Sequence, residues 1–197
     1  MPLKILHLNY SDINGGAAIA VQRIIESQKL AGLNPTLFVA DKNSKNDEVI
    51  GPSSTFEEIK WKLLVSINRK FEKLEKKKKY DSNSYNLIPN NIVKKINKLD
   101  FDIVNLHWIG NNLIPINDIK KIKKPLVWTL HDMWPYTGSE HYTLNKRYID
   151  GYSKYNKPDD LKGFDIERYC WNLKKKNYQK NLKIVVTSDW QFQSAKS

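Results

Sequence analysis

Imidazole, carboxylate and aromatic side chains cluster in one stretch, Pro125–Tyr142, which reads PLVWTLHDMWPYTGSEHY. Its first part, Leu126–Leu130, is a short apolar run typical of a buried parallel strand. His131 and Asp132 follow directly. Ligands of open α/β sheets bind beyond the carboxyl ends of such strands, where an imidazole can transfer a proton or orient a hydroxyl. The pattern predicts a ligand site, although a strand-capping His131 and a Trp134 packed under a loop fit the spacing equally well.

A second predicted strand also ends in polar and aromatic side chains. Phe101–Leu106 reads as a buried strand, and His107 and Trp108 come directly after it. Because two strands deliver such groups to one edge of the sheet, their ends are predicted to share a cleft. The predicted cleft residues, beside the candidate catalytic pair His131 and Asp132, are His107, Trp108, Trp134, Tyr136 and His141.

A glycine pair precedes the first predicted helix. Lys4–Tyr10 is a predicted strand, Ala17–Ala31 a helix and Thr36–Ala40 a second strand, which together make a β-turn-α-β unit. Gly15 and Gly16 would let the backbone approach a phosphate at the helix N-terminus. The three-glycine dinucleotide pattern and the phosphate-loop lysine are absent from the sequence, so a plain tight turn remains the alternative.

The remaining elements complete an α/β pattern. We predict a long irregular segment at Thr137–Phe164, a helix at Ile166–Gln179, a buried strand at Leu182–Thr187 and a helix that begins near Ser188. The predicted fold class is α/β, a Rossmann-like parallel sheet with helices on both faces, and residues 1–197 are predicted to form one domain.

Phe56–Tyr80 is predicted to be a long, basic, amphipathic helix. Such a helix can lie on an anionic membrane surface, and each basic residue near that surface contributes about 1 kcal/mol. The alternative is a helix packed on the sheet with a solvated basic face. The membrane-facing candidates are Trp61, Lys62, Arg69, Lys70 and Lys73.

Composition narrows the class of partner without choosing one. The chain has 33 Lys and Arg against 21 Asp and Glu, a net charge of +12, which suits an anionic partner. The single Cys170 excludes an intramolecular disulfide and a multi-cysteine metal site. The N-terminus does not read as a signal peptide, and no apolar run approaches the roughly 20 residues of a membrane span. We therefore expect a cytoplasmic protein, with any membrane contact peripheral.

Four segments together resemble a known family. They are DINGGAAIAVQRI at 12–24, DIVNLHW at 102–108, PLVWTLHDMWPYTG with the later HY at 125–142, and IVVTSDW at 184–190. In this order they are similar to the N-terminal half of family 4 glycosyltransferases, in the branch that builds bacterial capsule, colanic-acid-like and O-antigen polysaccharides. The resemblance spans nearly the whole chain.

The resemblance implies a GT-B enzyme with two Rossmann-like domains and the active site between them. Such enzymes transfer a sugar from a nucleotide-sugar donor to an acceptor, here a glycan or lipid-linked glycan, with retention and without a metal or other cofactor. By resemblance, Gly15 and Gly16 approach the donor phosphates and His131 faces the donor sugar. The chain ends at Ser197, inside a predicted helix. We therefore expect an acceptor-side fragment that lacks the donor domain and is inactive alone.

The sequence departs from the branch in the loop after His131. Relatives often carry cysteines there, at places where this chain has Glu140, Tyr152 and Tyr155. Two other hypotheses remain open at this stage. One is a basic module that binds membranes or nucleic acid, although no nucleic-acid-binding motif is present. The other is the product of a decayed gene.

Overall fold

A six-stranded parallel sheet forms the centre of the protein. The computed structural model describes residues 1–75, 82–159, 161 and 163–196. The strands are β1 (Lys4–Ser11), β2 (Asn34–Asp41), β3 (Val49–Ile50), β4 (Ile103–Leu106), β5 (Leu126–Thr129) and β6 (Lys183–Val185). The α-helices are α1 (Gly16–Leu30), α2 (Thr55–Glu75), α3 (Ile92–Ile96), α4 (Arg147–Asp150), α5 (Ile166–Asn177) and α6 (Asp189–Lys196), and a 3₁₀ helix spans Ile116–Lys121.

The strand order is β3-β2-β1-β4-β5-β6, and every neighbouring pair is parallel. The chain moves outward from β1 to β3 and then returns to β4 on the other side of β1. The order therefore reverses between β1 and β4, and this is the point at which doubly wound sheets bind ligands. The predicted α/β, Rossmann-like fold is confirmed.

Both faces of the sheet are covered, as a parallel sheet requires. Alternate residues of β2 show this, because Leu37 and Val39 pack with Val21 and Ile25 of α1. The residues between them face the larger core, in which Phe38 packs with side chains of α2, α3 and the 3₁₀ helix. Period-2 alternation thus sends successive residues of one strand to different helical layers.

The helix α2 turns a different face to the sheet from the one that its apolar pattern suggests. Trp61, Leu64 and Asn68 are buried, whereas Phe56, Ile59 and Leu63 are exposed. Trp61 is only 7% exposed, so the prediction that it faces a membrane is wrong. It packs in the core that contains Phe38. The predicted end of this helix and the side chain of Lys73 lie outside the described residues.

The two outer strands of the described sheet differ from what the sequence pattern indicates. The segment predicted as a buried strand at Leu182–Thr187 forms β6, whose three residues are all exposed because β6 is an edge strand of the described sheet. The two-residue β3 was not predicted, since Val49–Ile50 is too short to show a period. Among the described residues, no helix is both long enough and apolar enough to cross a bilayer.

Candidate functional site

A cleft of about 760 Å³ opens at the carboxyl edge of the sheet, across the reversal between β1 and β4. It is lined by residues that follow several strands and by the first turns of α1. The residues that line it are Asn9, Tyr10, Ser11, Asn14, Gly15, Gly16, Ala17, Ala20, Asp41, Trp108, Asn111, His131, Asp132, Tyr142 and Thr187.

The glycine pair lies at the start of α1 and lines this cleft. Gly15 precedes the helix with a φ of +90°, a conformation that favours glycine, and Gly16 is the first helical residue. A Cβ at either position would meet no atom within 4 Å, so the backbone here is open to a ligand. No side chain caps the helix, and its first turn carries no acidic residue. The first N–H groups of α1 therefore face the cleft with the positive end of the helix dipole.

His131 reaches the cleft from the end of β5. Its Nε2 lies 3.0 Å from Nδ1 of His107, and the two rings stack with centroids 5.3 Å apart. Burial lowers the pKa of His131, while the nearby Asp132 carboxylate acts in the opposite direction. A neutral imidazole in this position offers the cleft a hydrogen-bond acceptor or donor, according to its tautomer.

Asp132 is engaged within the protein. Its Oδ1 accepts a hydrogen bond from the backbone N–H of Trp134 at 2.9 Å. Its Oδ2 lies 2.5 Å from Nδ1 of His141, which is buried beneath the cleft wall. Asp132 touches the cleft, but both of its oxygens have protein partners. The arrangement suits a residue that holds the turn after β5 in place.

His141 supports the wall from below. Its ring stacks on Trp108 with centroids 4.9 Å apart. The indole Nε1 of Trp108 also lies 3.1 Å from His141 Nδ1, but Nδ1 cannot accept from the indole while it donates to a carboxylate. Because Asp132 is the charged acceptor, 2.5 Å away, we assign the Nδ1 proton to the bond with Asp132. With the proton on Nδ1, His141 Nε2 accepts from the Ser84 hydroxyl 2.8 Å away, and that hydroxyl in turn accepts from the N–H of Asn111.

Four of the predicted cleft residues do not line the cavity. His107 is buried between His7 and His131. Trp134 is buried in the core, where its indole N–H donates to the carbonyl of Ser84. His141 is buried by its contacts with Asp132 and Ser84, and the half-buried Tyr136 packs against Tyr148 instead. For these four, the prediction that they line the cleft is wrong. Trp108 and His131 do line it.

Sequence reasoning missed several cleft residues at the ends of β1 and β2. Tyr10 and Asp41 are the clearest of these, and Tyr10 also contacts Trp108 edge-to-face at 5.8 Å. Burial, with a smaller effect of Asp41, raises the pKa of Tyr10 to about 12, so its phenol is neutral near pH 7. The carboxyl ends of β1 and β2 are the signal that identifies them, because ligands bind at the carboxyl ends of parallel strands.

The loop between His131 and α5 is held by buried polar groups. Glu140 accepts hydrogen bonds from the Tyr152 hydroxyl at 3.0 Å and from the Ser139 N–H at 2.7 Å. The buried Arg147 pairs with Asp165 at 2.6 Å and with Glu167 at 3.0 Å. By contrast, Tyr155 is exposed. No group of three or more metal-binding side chains occurs among the described residues.

A scan against protein-family models and a search of curated proteins each found no match to this sequence. The features that indicate a function are therefore the cleft itself and the motifs along the chain.

Proposed function

We propose that this chain forms the acceptor-side domain of a retaining glycosyltransferase that moves a sugar from a nucleotide-sugar donor to a polysaccharide acceptor. One observation carries the proposal. The cleft lies at the reversal between β1 and β4, with an uncapped helix N-terminus on one side and His131 on the other. A diphosphate and a sugar need that pairing, because backbone N–H groups suit the anion and an imidazole suits a hydroxyl.

The lining of the cleft favours a ligand rich in hydroxyl groups. Tyr10, Asn14, Asp41, Asn111 and Thr187 supply hydrogen-bond donors and acceptors, and Trp108 supplies an aromatic surface. No lysine or arginine appears in the described lining, although the chain carries a net charge of +12. A groove for nucleic acid would place basic side chains along the phosphates. The cleft therefore supports a sugar ligand over a nucleic acid.

The residues take different roles in the proposed reaction. Transfer leaves a nucleoside diphosphate with developing negative charge, which the N–H groups at Gly15 and Gly16 would stabilise. His131 would hold a hydroxyl of the donor sugar beside the reacting carbon. Asp132 acts through His141 and the Trp134 N–H, both of which it holds within hydrogen-bond distance, so we assign it to positioning.

Binding of a nucleoside diphosphate to the 197-residue chain tests this proposal. We expect UDP or GDP at millimolar concentration to shift the backbone amide NMR signals of residues 15–18 without added metal. Gly16→Asp places a carboxylate at the first turn of α1, where Asp favours the helix but repels a phosphate. We expect this variant to fold normally and to bind about tenfold more weakly, which corresponds to about 1.4 kcal/mol.

The control is Thr55→Asp, which makes the same charge change at the start of α2, away from the cleft. It should leave nucleotide binding unchanged. Absence of shifts at residues 15–18 in the parent chain, or equal binding by parent and Gly16→Asp, would remove the donor-phosphate role of this turn.

We also propose that α2 brings the protein to an anionic membrane surface, where lipid-linked acceptors are found. The exposed Phe56, Ile59 and Leu63 form one stripe on the helix, since they are three and four positions apart. Lys62, Arg69 and Lys70 are exposed on the same helix. An apolar stripe with basic neighbours is the pattern of an interfacial helix.

A further inference from the structure

Three histidines form an unbroken hydrogen-bonded chain that runs from the cleft to α1. His131 Nε2 lies 3.0 Å from His107 Nδ1, and His107 Nε2 lies 2.8 Å from His7 Nδ1. His7 Nε2 lies 2.8 Å from Oε1 of Gln28. The rings of His7 and His107 also stack, with centroids 5.1 Å apart.

The sheet order places these side chains in a row. His7 belongs to β1, His107 directly follows β4, and His131 is the second residue after β5. Since β1, β4 and β5 are neighbours in the sheet, each strand supplies one imidazole to the same line. Gln28 of α1 makes the last hydrogen bond of the line, and α1 packs over β1 and β2. His7 and His107 are buried and His131 lines the cleft, so the line joins the protein interior to the candidate site.

The line of hydrogen-bonded histidines has a direction, because a neutral imidazole has one nitrogen that donates and one that accepts. The Gln28 oxygen accepts, so His7 Nε2 carries a proton and His7 Nδ1 accepts from His107 Nε2. His107 Nδ1 then accepts from His131 Nε2. The Nδ1 of His131 is left with a lone pair at the cleft.

The surroundings keep the three rings neutral. Burial lowers the pKa of His7, although the Gln28 hydrogen bond opposes this. Burial, together with the two neighbouring imidazoles, lowers the pKa of His107 well below its ordinary value. Burial also lowers the pKa of His131, with Asp132 as the opposing carboxylate. Near pH 7 the alternation of donors and acceptors therefore persists along the line.

We propose that Gln28, His7 and His107 are positioning residues that fix His131 in the Nε2–H tautomer and present its Nδ1 to the cleft as an acceptor for a ligand hydroxyl. The hydroxyl ligand rests on the proposed function, whereas the fixed tautomer does not. A donor amide at Gln28 would reverse every bond and make His131 a donor to the cleft, so the orientation of one amide decides the chemistry that His131 offers.

Imidazole ¹⁵N NMR of the whole 197-residue chain at pH 7.5 reads the tautomers directly. The chain has four histidines, so each signal can be assigned by single substitution. We expect His7, His107 and His131 to carry the proton on Nε2. His141 serves as an internal reference with its proton on Nδ1, because that atom donates to Asp132. A proton on His131 Nδ1 in the parent chain would overturn the proposal without any variant.

Three variants separate positioning from packing. Gln28→Leu removes the terminal acceptor, and the His131 signals should move toward the average of the two tautomers while those of His141 stay in place. Gln28→Glu restores an acceptor and should restore the Nε2–H form. Ser27→Ala is the control, since the Ser27 hydroxyl donates to the Arg23 carbonyl and does not touch the line.

An unchanged His131 tautomer in a folded Gln28→Leu variant would also overturn the proposal. The tautomer experiment contains no nucleotide or sugar. If the tautomers are as expected and nucleoside diphosphate binding fails, then the glycosyltransferase proposal is wrong. The positioning role of Gln28, His7 and His107 would still hold.

Discussion

Lys174 of α5 is a buried cation that contacts the segment after β5. Its Nζ donates to the carbonyl oxygens of Trp134 at 2.5 Å and Gly138 at 2.7 Å, and it lies 3.6 Å from the centre of the Trp134 ring. The carbonyls and the indole face hold the ammonium. Burial nevertheless lowers the pKa of Lys174 to about 7. The segment after β5 is therefore tied to α5 by a group that titrates near neutrality.

This pKa predicts that stability rises with pH between pH 7 and pH 9. The unfolded chain keeps the Lys174 proton up to a pKa of about 10.4, whereas the folded chain loses it near 7. The unfolded state therefore binds more protons in this window, and the free energy of unfolding should increase by up to about 1.4 kcal/mol per pH unit. Urea unfolding at pH 7, 8 and 9 measures it.

Lys174→Met isolates the effect, because the variant should lose the rise between pH 7 and pH 9. The exposed neighbour Lys175 provides the matched control, and Lys175→Met should keep the rise. The three lowered histidine pKa values act below this window, since their unfolded value is about 6.5. Identical slopes for the parent chain and Lys174→Met would contradict the prediction.

The buried polar groups around Arg147 illustrate how such groups can specify a structure. Arg147 is buried with Asp165 and Glu167, and its guanidinium also lies 4.5 Å from the centre of the Tyr152 ring. Removal of one partner from such a set leaves a buried charge unpaired, which is strongly destabilising. In this chain, ion pairs and hydrogen bonds among Arg147, Asp165, Glu167, Tyr152 and Glu140 hold the loop before α5.

Helix α2 has one face that packs in the core and another that is apolar and exposed. Trp61 and Leu64 anchor it to the core, while Phe56, Ile59 and Leu63 are 77%, 58% and 56% exposed. One helix can therefore pack on the sheet and still present an apolar stripe. The two interpretations of this segment, a packed helix and an interfacial helix, are compatible because they use different sides of it.

Vesicle binding tests the outward face of α2. We expect the 197-residue chain to sediment with vesicles that contain anionic lipid and not with neutral vesicles. Lys62→Gln with Lys70→Gln should weaken binding about tenfold or more, since each basic residue near the surface contributes about 1 kcal/mol. Phe56→Ser with Leu63→Ser should also weaken binding, because less apolar area enters the interface.

The matched control for charge is Lys120→Gln with Lys123→Gln, which removes two exposed lysines that lie near the 3₁₀ helix. That pair should bind like the parent chain. Equal loss in both lysine pairs would indicate a diffuse effect of net charge, and equal binding to neutral and anionic vesicles would contradict the electrostatic part of the proposal.

For the whole molecule, the sheet predicts a gradient of local stability. The strands β1, β4 and β5 lie inside the sheet, whereas β3 and β6 lie at its described edges. Ile184 and Val185 of β6 are also exposed, so opening this strand uncovers little further apolar surface. We expect hydrogen exchange of the isolated chain to be slowest in β1, β4 and β5 and clearly faster in β6.

Hydrogen exchange followed by mass spectrometry measures this gradient directly. Helix α1, which packs Ala18, Val21 and Ile25 against the sheet, gives an internal standard for an element with a covered face. Protection of β6 equal to that of β4 would contradict the expectation and would indicate that another surface covers this edge in solution.

The sequence alone determined the fold class and the position of the cleft. Apolar runs, a glycine turn and helical periodicity each report on local structure, and they placed β1, α1, β2, β4 and β5 to within a few residues. The rule that ligands bind at the carboxyl ends of parallel strands then selected Trp108 and His131, both of which line the cleft.

Tertiary structure decided which side chains face the cleft and which support it. His107, Trp134 and His141 have the residue types of a site, but each is buried by partners distant in sequence, such as His7 and Ser84. The outward turn of α2 and the exposure of β6 likewise depend on what packs against each element. A sequence pattern records the character of each residue, whereas its burial and its hydrogen-bond partners arise only when separated strands and helices meet.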